Sequence, residues 1–266
     1  MSNSETGINP VELSNIAGTE KDHWWYVGMR SITSRIFSRY VSRRPFEKIL
    51  EAGCGTGYNA AWLRNRYGWN IFPLDLESRA LQYVRSLGLS NATQADIAYL
   101  PFQNASFDLV LSFDVLIHVG FGAEKACIAE LFRVTKPGGM LCLRVAALEV
   151  LRSRHSQFID EKQRFTRRRL IRTLRDCGYR VVHCTYANSL LLPVAVAKFR
   201  IWEPLTRQRP ATGIEKVSDW MNTGLGIPLA IEAKWLGNGL RLPLGQSLIA
   251  VCEKPDAETT ARNKNS

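Results

Sequence analysis

The stretch Ile49-Leu50-Glu51-Ala52-Gly53-Cys54-Gly55-Thr56-Gly57 decides how the rest of the chain is read. An apolar run ends in closely spaced glycines, and the residues from Tyr58 to Tyr67 continue with helical character. Glycines permit a tight strand-to-helix turn and let the backbone come close to a ligand beside the helix start. Gly55-x-Gly57-x-x-Ala60 also satisfies a dinucleotide-binding spacing, so the turn alone leaves the ligand open.

Outward from this turn, strand-like and helix-like runs alternate over 48–145. Residues 69–74, 92–95, 107–113 and 140–145 read as strands, and 78–87 and 124–134 as helices. Such alternation predicts βαβ units and a parallel sheet. Asp75, Asp96 and Asp114 follow successive strands, as Glu51 does within the first. Open α/β sheets bind ligands at the carboxyl ends of their strands. Asp75, about 20 residues beyond the glycines, is placed to accept hydrogen bonds from two ribose hydroxyls. Asp96 can hold an adenine amino group while Ile97 covers the ring. Each acid alone also fits a helix cap or a solvated turn; four in series point to a site.

The series Glu51-x-Gly53-x-Gly55-x-Gly57, Asp75, Ala95-Asp96-Ile97, Phe107-Asp108, Asp114-Val115-Leu116-Ile117-His118-Val119 and Lys136-Pro137-Gly138-Gly139 resembles the motifs of class I methyltransferases. Within these it is similar to the small-molecule branch called the methyltransferase type 11 family. The resemblance implies a doubly wound, Rossmann-like α/β fold with a seven-stranded sheet, mostly parallel, its last strand antiparallel. It implies S-adenosylmethionine as cofactor. Glu51 would then steady the loop near the methionine amino group. Gly53, Cys54 and Gly55 would contact the cofactor through backbone. Asp75 would take the ribose, Leu76 would lie against the adenine with Asp96 and Ile97 lining its far side, and Asp114 would close the series. The segment His23-Trp24-Trp25-Tyr26-Val27-Gly28-Met29-Arg30 is similar to the leader of bacterial relatives found beside sugar and polysaccharide genes, which makes Arg30 available for the cofactor carboxylate. Those relatives carry a His-Asp…His…Arg-Tyr-Thr segment after the fifth strand; here His155-Ser156, Glu161 and Arg164-Phe165-Thr166 stand in its place, so shared acceptor chemistry does not follow.

Beyond the core, Thr166 is placed to cap a basic helix ended by Gly178, with residues 179–187 and 247–253 as closing strands. The chain divides into a flexible leader over 1–20, a single domain over 21–254 with its cofactor-binding core at 48–145 and an insertion at 188–245, and a flexible tail over 255–266. The leader lacks a basic region followed by an apolar one, so no signal peptide is expected. The most apolar stretch, 189–201, is broken by Pro193, Lys198 and Arg200 and is too short to span a bilayer. Six scattered cysteines without a CxxC pair suit a reducing compartment, and the four histidines show no metal spacing, so a cytoplasmic protein without a metal is expected.

Methyl transfer to oxygen needs a base. His118, just past the fourth strand, is the first candidate and His155 the second, with Glu161 and His23 behind them. A net charge of +11 attracts anions, which suits an anionic small-molecule acceptor such as a phosphate-linked sugar or glycolipid. It leaves room for peripheral contact with a membrane. An RNA methyltransferase is the weaker alternative, because the Asn/Asp-Pro-Pro-aromatic tetrapeptide is missing at Asp114-Val115-Leu116-Ile117. A nicotinamide-dinucleotide oxidoreductase and a non-catalytic scaffold stand further back.

Overall fold

The computed structural model describes residues 10–41, 45–206, 209–214 and 216–256. Seven strands form one sheet in the order β3-β2-β1-β4-β5-β7-β6. They are β1 (Ile49–Ala52), β2 (Ile71–Asp75), β3 (Thr93–Gln94), β4 (Phe107–Phe113), β5 (Thr135–Ala146), β6 (Arg180–Ala187) and β7 (Ser247–Glu253). β1 pairs parallel with β2 and β4, while β7 lies antiparallel between β5 and β6. The reversal of strand order at β1 puts a crevice at the carboxyl ends of β1 and β4, where this class of sheet binds ligands.

Strand side chains alternate between two cores. Leu50, Val110 and Leu141 belong to one, packed with Ile128, Leu131, Leu170 and Leu174 from α5 (Glu124–Val134) and α7 (Arg167–Asp176). Ile49, Leu109 and Met140 face the other, with α2 (Trp24–Tyr40), α3 (Tyr58–Tyr67), α4 (Ser78–Ser86) and α10 (Asp219–Gly237). Glu51, two residues after Ile49, therefore points to this second side, into an otherwise apolar layer. α2 buries Met29, Ile32, Ile36 and Phe37, a helical stripe, against α10. The crossing is close: a Cβ on Gly28 would stand 2.2 Å from Leu229 Cδ1.

Three sequence expectations change. Within the leader, Pro10–Thr19 forms a helix, α1, and buries Leu13; residues 1–9 lie outside the described residues, as do 257–266 of the tail. The third strand is only two residues long. The Lys136-Pro137-Gly138-Gly139 turn is part of β5 rather than a prelude to it. Lys136 donates to Asp108 at 2.6 Å, and Asp108 also accepts from the Glu47 and Lys48 amides, so this motif pair staples the amino end of the sheet, away from the crevice. Between β6 and β7 lie α8 (Leu192–Val196), a wider π turn (Ala197–Trp202), α9 (Glu203–Thr206) and α10. The short helix α6 (Arg154–Phe158) follows β5.

Candidate active site

The glycine turn is a closed hydrogen-bonded unit. Gly53 and Cys54 both donate their amides to the Leu74 carbonyl, at 2.7 and 2.9 Å, and Gly55 donates to Asp75 Oδ2 at 2.7 Å. Within the fold these three amides are held by the loop itself. What the loop offers instead is room. Gly53 and Gly55 have φ of +81° and +53°, and a Cβ at Gly53 would collide with Val115 at 2.0 Å, whereas one at Gly55 would meet nothing within 4 Å. The space over Gly55 is the cradle.

Glu51 lies beneath it. Its carboxylate is buried and its Oε2 has no hydrogen-bond partner. Burial first, then the neighbouring Glu20 carboxylate, push its pKa up to about 8, although Arg144 works the other way. Glu20 is itself pushed up to about 7 by burial. It comes from the connection between α1 and α2 and reaches the loop directly, Thr56 donating to it at 2.5 Å. Tyr26, on the first turn of α2, lies close enough to feel Glu20, Glu12 and Asp114.

Asp75 holds the loop with one oxygen and accepts from the Glu77 amide with the other, at 3.0 Å. Carboxylate oxygens have lone pairs to spare, so ribose hydroxyls can still bind there. Leu76 beside it is 41% exposed, a bare apolar surface at the site, while Ile97 across from it is buried. Asp96 is exposed and accepts from the Ala98 amide at 2.8 Å.

Arg30 and Asp114 both have partners within the fold. Both terminal nitrogens of Arg30 donate to the backbone carbonyls of Glu20 and Lys21, at 2.7 and 2.8 Å, and the group lies over the Tyr58 ring. Arg30 thus fixes the α1–α2 connection over the loop. Asp114, at φ +61°, pairs with Arg144, which donates through Nε at 2.8 Å and Nη2 at 2.7 Å. Arg144 is buried between the Trp25 and Phe113 rings. A charged residue in the apolar run of β5 was the signal for it; Glu12, Glu20 and Thr56 carried no comparable signal.

Of the histidines, His118 is lowered from its ordinary pKa by burial, with Asp114 and Glu161 opposing. His155 falls to about 4 through burial and the charges of Arg164 and Lys198, and its field reaches His118. Its Nδ1 accepts from the Gly213 amide at 2.9 Å and stands 3.8 Å from Glu12, whose buried oxygens have no hydrogen-bond partner. Glu161 is spent on Arg164 at 2.6 Å, and His23 caps α2 by accepting from Trp25. His183 stacks on Tyr40 within the fold. Among the described residues no group of three or more His, Cys, Asp or Glu side chains could hold a metal ion, and no helix is long and apolar enough to cross a membrane.

A family model described as a methyltransferase domain matches residues 50–143. The chain is 31% identical over 128 residues to a malonyl-(acyl-carrier protein) O-methyltransferase of Erwinia billingiae, covering 47% of this chain and 49% of that protein. It spans about half or less of the length of the curated relatives it first matches. Among solved structures it resembles a phosphoethanolamine N-methyltransferase of Haemonchus contortus in complex with S-adenosyl-L-methionine, at 15% identity and a TM-score of 0.53, over 84% of this chain and 53% of that one. It also resembles the (4+2)-cyclase SpnF, at 18% identity and a TM-score of 0.55, over 85% of this chain and 80% of that one. The last likeness shows that this fold houses more than one reaction.

Proposed function

We propose that the chain is a class I S-adenosylmethionine-dependent methyltransferase of the type 11 family and that it methylates a small-molecule acceptor, such as a sugar, a glycolipid or a related metabolite. The observation that carries this reading is Glu51: a buried carboxylate with an unpartnered oxygen, set below a loop whose Gly55 opens to free space. Such a site favours an ammonium group on a ligand that fills the cradle. Glu51 and Glu20 would hold the methionine ammonium, Asp75 the ribose, Leu76 and Ile97 the two faces of the adenine, and Asp96 its edge. When bound, the cofactor would supply a sulfonium-activated methyl whose leaving group is a neutral thioether.

The chain's own residues must then hold the acceptor in line and exclude water. The Erwinia relative is an O-methyltransferase, and an oxygen acceptor must also lose a proton. Burial keeps both His118 and His155 uncharged near neutrality. They are not equivalent. With Nδ1 of His155 accepting from Gly213, its proton sits on Nε2, which makes that face a donor. His118 is therefore the base, and His155 orients the acceptor by donating to it. The net charge of +11 favours acceptors that bear phosphate or carboxylate groups.

Calorimetric titration with S-adenosylmethionine, S-adenosylhomocysteine and NAD tests the reading. Both sulfur ligands are expected to bind, and Asp75→Ala to weaken them on the order of tenfold to a hundredfold. Binding of NAD alone would overturn it.

A further inference from the structure

The insertion over 188–245 carries an apolar surface that the methyl-transfer chemistry does not use. Of the twenty large hydrophobic side chains exposed among the described residues, thirteen fall in this segment. α10 shows why. Its inner stripe, Leu229, Ala233 and Leu236, packs in the core with α2. Trp220, Ile227, Ile231 and Trp235 recur at about 100° per residue on the opposite side, and they are 75%, 56%, 39% and 39% exposed. A helix apolar on both sides expects a second partner. The stretch running from α8 to α9 repeats the arrangement. Ala195 and Glu203 are buried, the latter against Arg154, while Val194, Ile201, Trp202 and Leu205 are bare. The two helical pieces share a root, because Glu232 of α10 accepts the Ser189 and Leu190 amides at 2.7 and 2.6 Å.

The charges of the same segment identify the partner. Among the described residues of the segment, Lys198, Arg200, Arg209, Lys216, Lys234 and Arg241 are all exposed, against one exposed acid, Asp219; Glu203 and Glu232 are buried. Bare tryptophans and aliphatic side chains among cations match the headgroup region of an anionic bilayer, where indole rings settle and basic side chains meet lipid phosphates. A second copy of the chain would bring like charge against like charge. We propose that the 188–245 segment docks on the surface of a bilayer containing anionic lipid, without crossing it. This goes beyond the methyl-transfer reading and does not depend on it.

The test is co-sedimentation of the full chain with phosphatidylcholine vesicles and with vesicles that also contain phosphatidylglycerol. Wild type is expected to bind the anionic vesicles and, at raised salt, to bind them less. Lys198→Glu with Arg200→Glu is expected to weaken binding on the order of tenfold or more. Trp220→Ser with Ile227→Ser, both exposed positions, is expected to weaken it on the order of a hundredfold while S-adenosylmethionine affinity and melting temperature stay at wild-type values. Brominated acyl chains should quench wild-type tryptophan fluorescence, which supports the proposal without relying on any variant. Absence of vesicle binding overturns it, as does binding that ignores both double substitutions. So does sedimentation equilibrium showing a dimer that Trp220→Ser with Ile227→Ser dissolves, with no affinity for vesicles, because the face then belongs to a second copy.

Discussion

At Glu51 and Glu20 the protein holds two carboxyls whose pKa values are raised to about 8 and about 7, chiefly by burial. The sign of the consequence follows from proton counting. The folded chain keeps protons that the unfolded chain releases at the ordinary carboxyl pKa of 4.5, so stability of the ligand-free protein falls as pH rises from there and levels off only above the folded values of about 7 and about 8. Glu51→Gln keeps the shape and removes the titration. It is expected to raise the melting temperature at pH of about 8.5 and to leave it nearly unchanged near pH 4, measured by differential scanning calorimetry. A cationic ammonium bound at Glu51 favours the ionised form, so S-adenosylmethionine binding at neutral pH is expected to expel protons. Titration in buffers of different ionisation enthalpy reads that release, and Glu51→Gln should reduce it to the part Glu20 supplies, along with most of the affinity. Binding with no proton release would mean that Glu51 does not meet the ammonium. The Asp114–Arg144 pair makes a second residue-scale case. Its side chains are 27% and 7% exposed, and Arg144→Leu strands the Asp114 carboxylate, at a cost of about 3 kcal/mol readable by urea denaturation.

The turn joining β1 to α3 separates two roles that three similar glycines conceal. Gly53 serves packing, because Val115 occupies the place where its Cβ would stand. At Gly55 nothing occupies that place, which is the space the proposed cofactor would fill. Gly53→Ala is accordingly expected to destabilise the fold by about 3 kcal/mol or more. Gly55→Ala carries the positive-φ penalty alone, about 1 kcal/mol, and yields a folded protein whose cradle is filled. Thermal denaturation and calorimetric binding, run side by side, distinguish them: the Gly55 variant melts close to wild type and binds S-adenosylhomocysteine poorly. Undiminished binding of S-adenosylhomocysteine by the Gly55 variant would show that the free space over Gly55 has no role in binding. In α7 the basic character divides in the same manner. Arg169 lies over the Phe121 and Phe165 rings and pairs with Glu124, while Arg168, Arg172 and Arg175 stay exposed.

Across the whole molecule, the connection between α1 and α2 lies over the glycine turn, tied by Glu20 to Thr56 and by Arg30 to its own backbone. A ligand in the proposed cradle would be bordered by chain segments far apart in sequence, and the tie is expected to slow its exchange. Thr56→Val keeps the side-chain shape and removes the hydrogen bond to Glu20. It is expected to speed dissociation of S-adenosylhomocysteine roughly tenfold, followed by stopped-flow fluorescence, with little change in the melting temperature of the free protein. An unchanged dissociation rate would show that the connection does not gate the site.

Local sequence determined the alternating elements, since helix period, strand period and glycine turns are properties of neighbouring residues. α3, α5, β4 and β7 stand where their patterns placed them, and the motif series from Glu51 to Gly139 lies over the stretch that a methyltransferase-domain model matches. The two-residue β3 had little pattern to read, and α1 offered only ten residues with one fully buried leucine. What tertiary structure alone decided is which charge meets which. Arg30 turned to carbonyls nine and ten residues away, Asp114 to an arginine thirty residues on, and Glu20 to a threonine thirty-six residues on. Buried polar groups must find partners wherever folding brings them, because leaving them dry and unpaired costs more than a single cap or turn returns. Those partners are set by the packing of elements in space, which no local pattern encodes.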